Sequence, residues 1–319
     1  AAALARGIEP RRVSVVRGDL RVSGLGLDGP TRARLLNGVD VVLHAAADTA
    51  FSQPLPAARA INVAGTRRLL ELADGRDTRF VLVSTAFVAG RRTGLILEDD
   101  APEGHGWVNA YERSKHEAEA LVRAYARTWL ILRPSTLVCD SVSGRVRQRN
   151  AVHRLLGLCR AGLTAMLPGG PDTPVDVVPD DYVAAAVATL ALREDVAGRT
   201  LHLCSGARAP VLGPLLERSW AFWRCASPAW ARRAIELPAL VDVDTYRLLE
   251  TTVRESGDRR LARVMHALSH FAPQLALPKH FDTTGADALL GFAAPDPDRY
   301  WDLMLEGLGT GRASARRAA

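Results

Sequence analysis

Tyr111 and Lys115 stand four residues apart in Tyr111-Glu112-Arg113-Ser114-Lys115, so on a helix they share one face a single turn apart. An ammonium so placed favours a phenolate. It lowers a tyrosine's pKa from ~10 toward neutrality and suits the phenol to general acid–base work. Upstream, Thr85 carries a hydroxyl that can share a substrate oxygen with that phenol. The spacing alone is a weak signal, because helices meet it by chance. Composition strengthens it: of 41 basic residues only Lys115 and Lys279 are lysines. A chain that uses arginine almost everywhere keeps a lysine where an ammonium is needed.

The elements that must position these groups alternate. Residues 13–16 form a β-branched run closed by Gly18-Asp19-Leu20 and read as a buried strand, after what looks like the end of a helix over 1–8. A short helix at 31–36 and a strand at 39–44 follow, the latter ending in Ala45-Ala46-Ala47. A long helix over 57–73 leads to a strand at 79–83 that ends at Ser84-Thr85. A helix over 111–127 leads to a strand at 129–132 ended by Arg133-Pro134. Strands apolar throughout, alternating with helices, indicate a parallel sheet covered on both faces, with ligands at its carboxyl ends. The small and polar residues fall at those ends: Asp19, His44 to Ala47, Ser84-Thr85 and Arg133 to Ser135.

Beyond Ser135 the alternation weakens. Residues 145–163 read as a basic amphipathic helix, 168–171 as a turn, and 175–178 as a lead into an alanine-rich helix ending near Leu192. Residues 200–204 read as one more strand and 211–270 as mostly helical, carrying Trp220, Phe222, Trp223 and Trp230. Residues 311–319 read as a polar, frayed tail. No internal repeat is present.

The motifs arrive in one order: Gly18-Asp19-Leu20, His44-Ala45-Ala46-Ala47, Asn62-Val63-Ala64-Gly65-Thr66, Val83-Ser84-Thr85-Ala86-Phe87-Val88, Tyr111-Glu112-Arg113-Ser114-Lys115 and Arg133-Pro134-Ser135. In that order they resemble the extended short-chain dehydrogenase/reductases, from about Val13 to Cys204 and more weakly to about Trp301. Ser84-Thr85, Asn109-Ala110-Tyr111-Glu112, Phe51 and Pro179-Asp180-Asp181-Tyr182-Val183 are most similar to the fatty acyl-CoA reductase and carrier-protein thioester reductase branch, the male-sterility type. The resemblance implies an α/β, Rossmann-like doubly wound parallel sheet with a smaller, mostly helical substrate region. The cofactor-binding part is then 1–134 and the substrate region 135–319, with about 174–205 returning to the sheet. Its implied activity is NAD(P)H-dependent reduction of an acyl thioester, carried by coenzyme A or a carrier protein, to an aldehyde or alcohol. NADPH is the implied cofactor, with NADH open.

Residue by residue, the resemblance implies that Asp19 and Leu20 bracket the adenine. Ala45, Ala46 and Ala47 line the ribose and nicotinamide side, with Ser84 at the neighbouring strand end. Asn62 braces the active-site helix. Thr85 holds the substrate oxygen, Tyr111 donates the proton, and Lys115 binds the nicotinamide ribose and tunes Tyr111. Pro134 and Ser135 cover the nicotinamide, and no metal is implied. Blander readings stand beside these: Asn62 as a turn cap, His44 as a hydrogen-bonded strand end rather than a base, and the tryptophans as core rather than an acyl channel. Arg145, Arg147, Arg149 and Arg154 suit either a pantetheine phosphate or a solvated face.

One part of the family's pattern is missing. Its GxxGxxG turn, which holds the cofactor pyrophosphate, has no counterpart upstream of Asp19, and Gly24-Leu25-Gly26-Leu27-Asp28-Gly29 follows the wrong strand to replace it. The expectation is weak or no NADPH binding, either because the chain is a piece of a longer reductase or because it is a remnant acting as a binding module. A sugar-nucleotide or hydroxysteroid type of oxidoreductase is the alternative within the fold.

Composition bounds the rest. The chain has 319 residues, 48% hydrophobic and 24% charged, which fits a globular protein and excludes disordered, collagen-like and disulfide-scaffold classes. The longest apolar runs, such as 39–47, are broken by charge and fall short of a ~20-residue span. No leader-like segment opens the chain, and its first residue is alanine. Four scattered cysteines suit neither zinc nor a disulfide framework and point to a reducing, cytoplasmic setting. The net charge of +6 admits a phosphate-bearing partner and a peripheral membrane contact, but dispersed arginines argue against nucleic acid.

Overall fold

A computed structural model describes residues 13–74, 77–100 and 104–314. The helix end expected over 1–8 and the last residues of the expected tail, 315–319, lie outside them. Strands run in the order β1 (Val41–His44), β2 (Arg79–Val83), β3 (Gly94–Ile96), β4 (Thr128–Pro134), β5 (Thr136–Leu137), β6 (Met166–Pro168), β7 (Val177–Val178), β8 (Arg199–Leu203), β9 (Ala239–Val241) and β10 (Lys279–Phe281). The helices that matter for the site are α1 (Gly29–Leu36), α2 (Leu55–Asn62), α3 (Ala64–Ala73), α4 (Ala110–Tyr125), α5 (Ala151–Arg160) and α6 (Asp180–Ala191).

A four-stranded sheet in the order β1-β2-β4-β8 is parallel throughout. Because side chains alternate along a strand, β2 sends Phe80 and Leu82 to one face and Val81 to the other. The first pair packs with Leu70 of α3 and with Ala118 and Val122 of α4. Val81 packs with Val183, Ala186 and Leu190 of α6 and with Ala286 and Leu290 of the helix Thr284–Leu290. Helices on both faces explain why the central strands are apolar at nearly every position, and they make the architecture Rossmann-like. A second core, around Trp220, Trp223, Trp230, Tyr246 and Trp301, fills the helical region. The tryptophans are core, as the blander reading has it.

Four expectations need correction. Residues 13–16 form no strand, and Val13 and Val15 are exposed. Sheet pairing explains this: among the described residues the chain enters the sheet first at β1, whose outer edge pairs with no strand there. The helix expected over 57–73 is two helices, separated at Val63 (φ −97, ψ −57). There the Thr66 hydroxyl donates to the Asn62 carbonyl at 2.6 Å, a side-chain competition that bends helices. The basic helix expected over 145–163 is only α5. The Asn150 side chain accepts from the backbone of Val152 and His153 while His153 Nδ1 accepts from Asn150 N, a capping box that fixes the start. Finally, helix Trp301–Ser314 runs through residues 311–314 of the expected tail.

Candidate active site

α4 begins at a tight cap. The Asn109 side chain accepts from Glu112 N at 3.0 Å, and Glu112 Oε1 accepts from Asn109 Nδ2 at 2.9 Å. The cap puts Tyr111 in the first turn and Lys115 one turn on, against the carboxyl ends of β2 and β4. Lys115 is buried and donates from Nζ to the Val83 carbonyl at 2.8 Å, so its ammonium is fixed at the end of β2. Burial lowers Lys115 to about 8, while the Glu119 carboxylate opposes the shift.

Tyr111 corrects the sequence expectation. Its pKa is not lowered toward neutrality but pushed up to about 12, because burial of the phenol outweighs the Thr85 hydroxyl, which favours the phenolate, and the Glu112 carboxylate opposes ionisation further. Lys115 directs one of its three donors to the Val83 carbonyl. Tyr111 therefore keeps its proton at neutral pH, the state that a proton donor needs.

Thr85, Tyr111 and Ser135 line one cleft of about 650 Å³. Its nearer walls include Asp48 to Ser52, with Phe51 against the Tyr111 ring at 5.4 Å. Its farther walls come from 135–139, from 147–151 with Arg154, and from Ala267, His270 and Phe271. Among the four arginines that suit a phosphate, Arg147 is committed to Asp180 at 2.7 Å, and Arg145 is not in the lining. Arg149 and Arg154 face the cleft, and neither forms an ion pair among the described residues. His270 Nε2 is buried with no hydrogen-bond partner among the described residues.

The remaining expected residues surround this cleft rather than line it. Asn62 Nδ2 donates to the Asp48 carbonyl and to Ser114 Oγ, both at 2.9 Å, and its Oδ1 accepts from Asp48 N at 2.8 Å. It thus ties the loop after β1 directly to α4. Ser84 is buried against the Glu119 carboxylate. Burial alone would raise Glu119, but Arg133, bonded to it at 2.8 and 3.0 Å, holds it below the usual range. Ala45 and Ala46 are exposed and Ala47 half-buried at the tip of β1. Pro134 ends β4, directly before Ser135. Leu20 packs on Gly65 of α3, where a Cβ would meet it at 3.0 Å, and its carbonyl accepts from Arg68 at 2.7 Å. Asp19 is held near 2 by hydrogen bonds from Arg21, its ion-pair partner at 2.8 Å. His44 is the bonded strand end rather than a base. Its Nε2 lies 3.0 Å from Thr66 Oγ1, and burial drops it to about 3, with Lys115 adding to the shift.

Comparison with known proteins decides the family: the profile described as male sterility protein, an NAD-binding domain, matches residues 3–187. The chain belongs to the male sterility protein family. Among its relatives, one of the chains of linear gramicidin synthase from Brevibacillus parabrevis is 27% identical over 205 residues, covering 61% of this chain and 4% of that protein. Nonribosomal peptide synthetase asaC of Aspergillus flavus is 26% identical over 223 residues, covering 66% of this chain and 21% of that protein. The chain thus spans about a fifth or less of the length of these curated relatives. The crystal structure of the terminal R domain from the myxalamid PKS-NRPS biosynthetic pathway superposes with a TM-score of 0.77 at 27% identity, covering 98% of this chain and 78% of that one. A UDP-glucuronic acid 4-epimerase from Bacillus cereus in complex with NAD shares the fold at 18% identity, with a TM-score of 0.61 over 91% of this chain and 80% of that one.

In this family member, two groups of site residues escaped sequence reasoning. His270 and Phe271 lie far from Tyr111 along the chain and carry no local motif. Buried Glu112 and Lys279 are joined through half-buried Gln274 beside Tyr111, and the scarcity of lysine was the available signal. No helix among the described residues is long and apolar enough to cross a membrane. Three cysteines are buried, Cys225 is exposed, and all four are free thiols.

Proposed function

We propose that this chain reduces acyl thioesters with NAD(P)H, taking the acyl group from a carrier-protein or coenzyme A thiol. The observation that carries the reading is the convergence of the Thr85 hydroxyl and the protonated Tyr111 phenol on one cleft, with Lys115 fixed behind them at the ends of β2 and β4.

A nicotinamide, when bound, supplies the hydride. The residues at its reactive end fit it: a buried ammonium one turn from a buried phenol, at the carboxyl ends of a parallel sheet. Lys115, Ser84, Pro134 and Ser135, together with Ala45 to Ala47, are the groups that would hold that end. Asp19 and Leu20 would meet the adenine end, with Asn62 keeping the loop after β1 on α4. In the substrate, Thr85 donates to the carbonyl oxygen, and Tyr111 gives that oxygen its proton as charge develops. The resulting hemithioacetal releases the thiol and leaves an aldehyde. Arg149 and Arg154, which line the cleft, would meet the phosphate of a pantetheine arm, and the Phe51, Phe87 and Phe271 side chains the acyl chain.

NADPH is the proposed reductant, and a reducing cytoplasmic compartment the proposed setting. The test incubates the chain, and a form extended upstream in its gene, with NADPH and long-chain acyl thioesters of coenzyme A and of a carrier protein, following loss of reduced cofactor. Thioester-dependent oxidation is expected, and Tyr111→Phe should cut it by ~10²–10⁴. No oxidation by either form, or an undiminished rate in the variant, would overturn the reading.

A further inference from the structure

Lys115 accounts for one of the chain's two lysines; Lys279, the other, plays no part in the proposed chemistry. It is nevertheless nearly as inaccessible, 5% exposed against 2%. Placing an ammonium there is costly, and burial lowers it to about 8. The Glu112 carboxylate works against that shift and Arg91 works with it. Lys279 opens β10, and its Nζ donates to Gln274 Oε1 at 2.7 Å and to the Leu277 carbonyl at 3.3 Å. Gln274 Nε2 passes the contact on, donating to Glu112 Oε1 at 2.6 Å.

Glu112 gathers the network. It is 1% exposed and immediately follows Tyr111. Its Oε1 accepts from Gln274 and Asn109, and its Oε2 from Val108 N at 2.9 Å. Asn109 Nδ2 also reaches the His270 carbonyl at 3.3 Å. Capping α4 needs only Asn109 and Glu112. What Gln274 and Lys279 add is a grip on residues 270–279, the segment whose first two members form a wall of the cleft.

We propose that Glu112, gripped by Gln274 and Lys279, is a positioning residue that fastens the His270–Phe271 wall of the cleft to the helical turn carrying Tyr111, so that the acyl group and the phenol are held in one frame. This rests on the reductase reading, and it extends it. Truncating Lys279 leaves Gln274 without its anchor, and with the 3.3 Å Asn109–His270 contact as the remaining direct tie to α4 the wall loosens against the phenol. The substrate side of the reaction suffers while the nicotinamide side, fixed through Lys115 and Val83, does not.

The test compares the full chain with Lys279→Met and Gln274→Leu by backbone hydrogen exchange and by steady-state kinetics. Gln274 is half-buried, and its variant keeps both charges, so it serves if Lys279→Met fails to fold. Either variant should speed exchange over 268–281 by about tenfold or more while leaving β2 and β4 as protected as before. It should also raise the thioester KM and lower kcat, each by about tenfold, at an unchanged NADPH KM. Unchanged exchange over 268–281, loss of protection spread evenly across the sheet, or an equal rise in both KM values would overturn the proposal. Exchange needs no turnover, so a failure here is distinguishable from a failure of the reductase reading.

Discussion

Burial pushes Tyr111 up to about 12, further from ionisation than an ordinary phenol, and Lys115 directs one donor to the Val83 carbonyl. The pair is thus a protonated acid beside a fixed ammonium, which suits reduction better than a phenolate would. The ammonium is the part that titrates in an accessible range. Burial puts Lys115 at about 8, below its ordinary value near 10.5, so rising pH removes its charge first. The expected outcome is a kcat that holds at neutral pH and falls as pH climbs through about 8. A pH–rate profile measured at saturating thioester and reduced cofactor checks this, and a plateau extending well past that point would refute it.

At the scale of elements, the site depends on clamps between segments that are far apart in sequence. Asn62 joins the loop after β1 to α4, and Glu98 joins β8 to the helix Thr284–Leu290. Glu98 Oε1 accepts from His202 N at 2.8 Å and from Ala286 N at 3.2 Å, and its Oε2 accepts from Gly285 N at 3.0 Å. A Cβ at Gly285 would overlap that carboxylate, so the glycine is what lets the helix start approach. Burial raises Glu98 from 4.5 to about 7 despite these donors. The folded chain therefore binds more protons than the unfolded one between those values, and the stability tied to this group is complete below 4.5 and lost as pH rises through about 7. Thermal melting should show the chain losing stability from this group between pH 5 and pH 7, and Glu98→Gln should flatten that slope. An unaltered slope in the variant would assign it elsewhere, to Asp176 or Glu112, which burial also raises.

At the scale of the molecule, two cores meet at the cleft, one around the sheet and one around the tryptophans. Trp220 is the centre of the second, with its ring 5.1 Å from Trp223 and 6.0 Å from Trp230, and with Nε1 donating to the Ile235 carbonyl at 3.0 Å. Trp220→Phe should cost about 2–4 kcal/mol, combining a cavity with an orphaned carbonyl. Denaturant melts measure the loss, and an unchanged midpoint would show that the ring is not part of the core. At the opposite end, β1 is the sheet's outer strand among the described residues, and Leu43 on it is half exposed.

The parallel α/β arrangement and the chain positions of β1, β2, β4 and β8 were legible in the sequence, as were Thr85, Tyr111 and Lys115 as residues of one neighbourhood. These follow from local pattern: apolar strands, helical spacing, and small or polar residues at strand ends. Periodicity could not show that residues 13–16 lack a pairing strand, that Thr66 breaks a long helix at Val63, or that Asn150 delays the start of α5, because each turns on a particular partner. The direction of the Tyr111 shift was not legible, because it depends on how much protein covers the phenol. Only the tertiary structure brought His270, Phe271, Gln274 and Lys279 to α4, since groups this far apart along the chain meet through packing of the second core against the sheet and not through any spacing that a sequence can display.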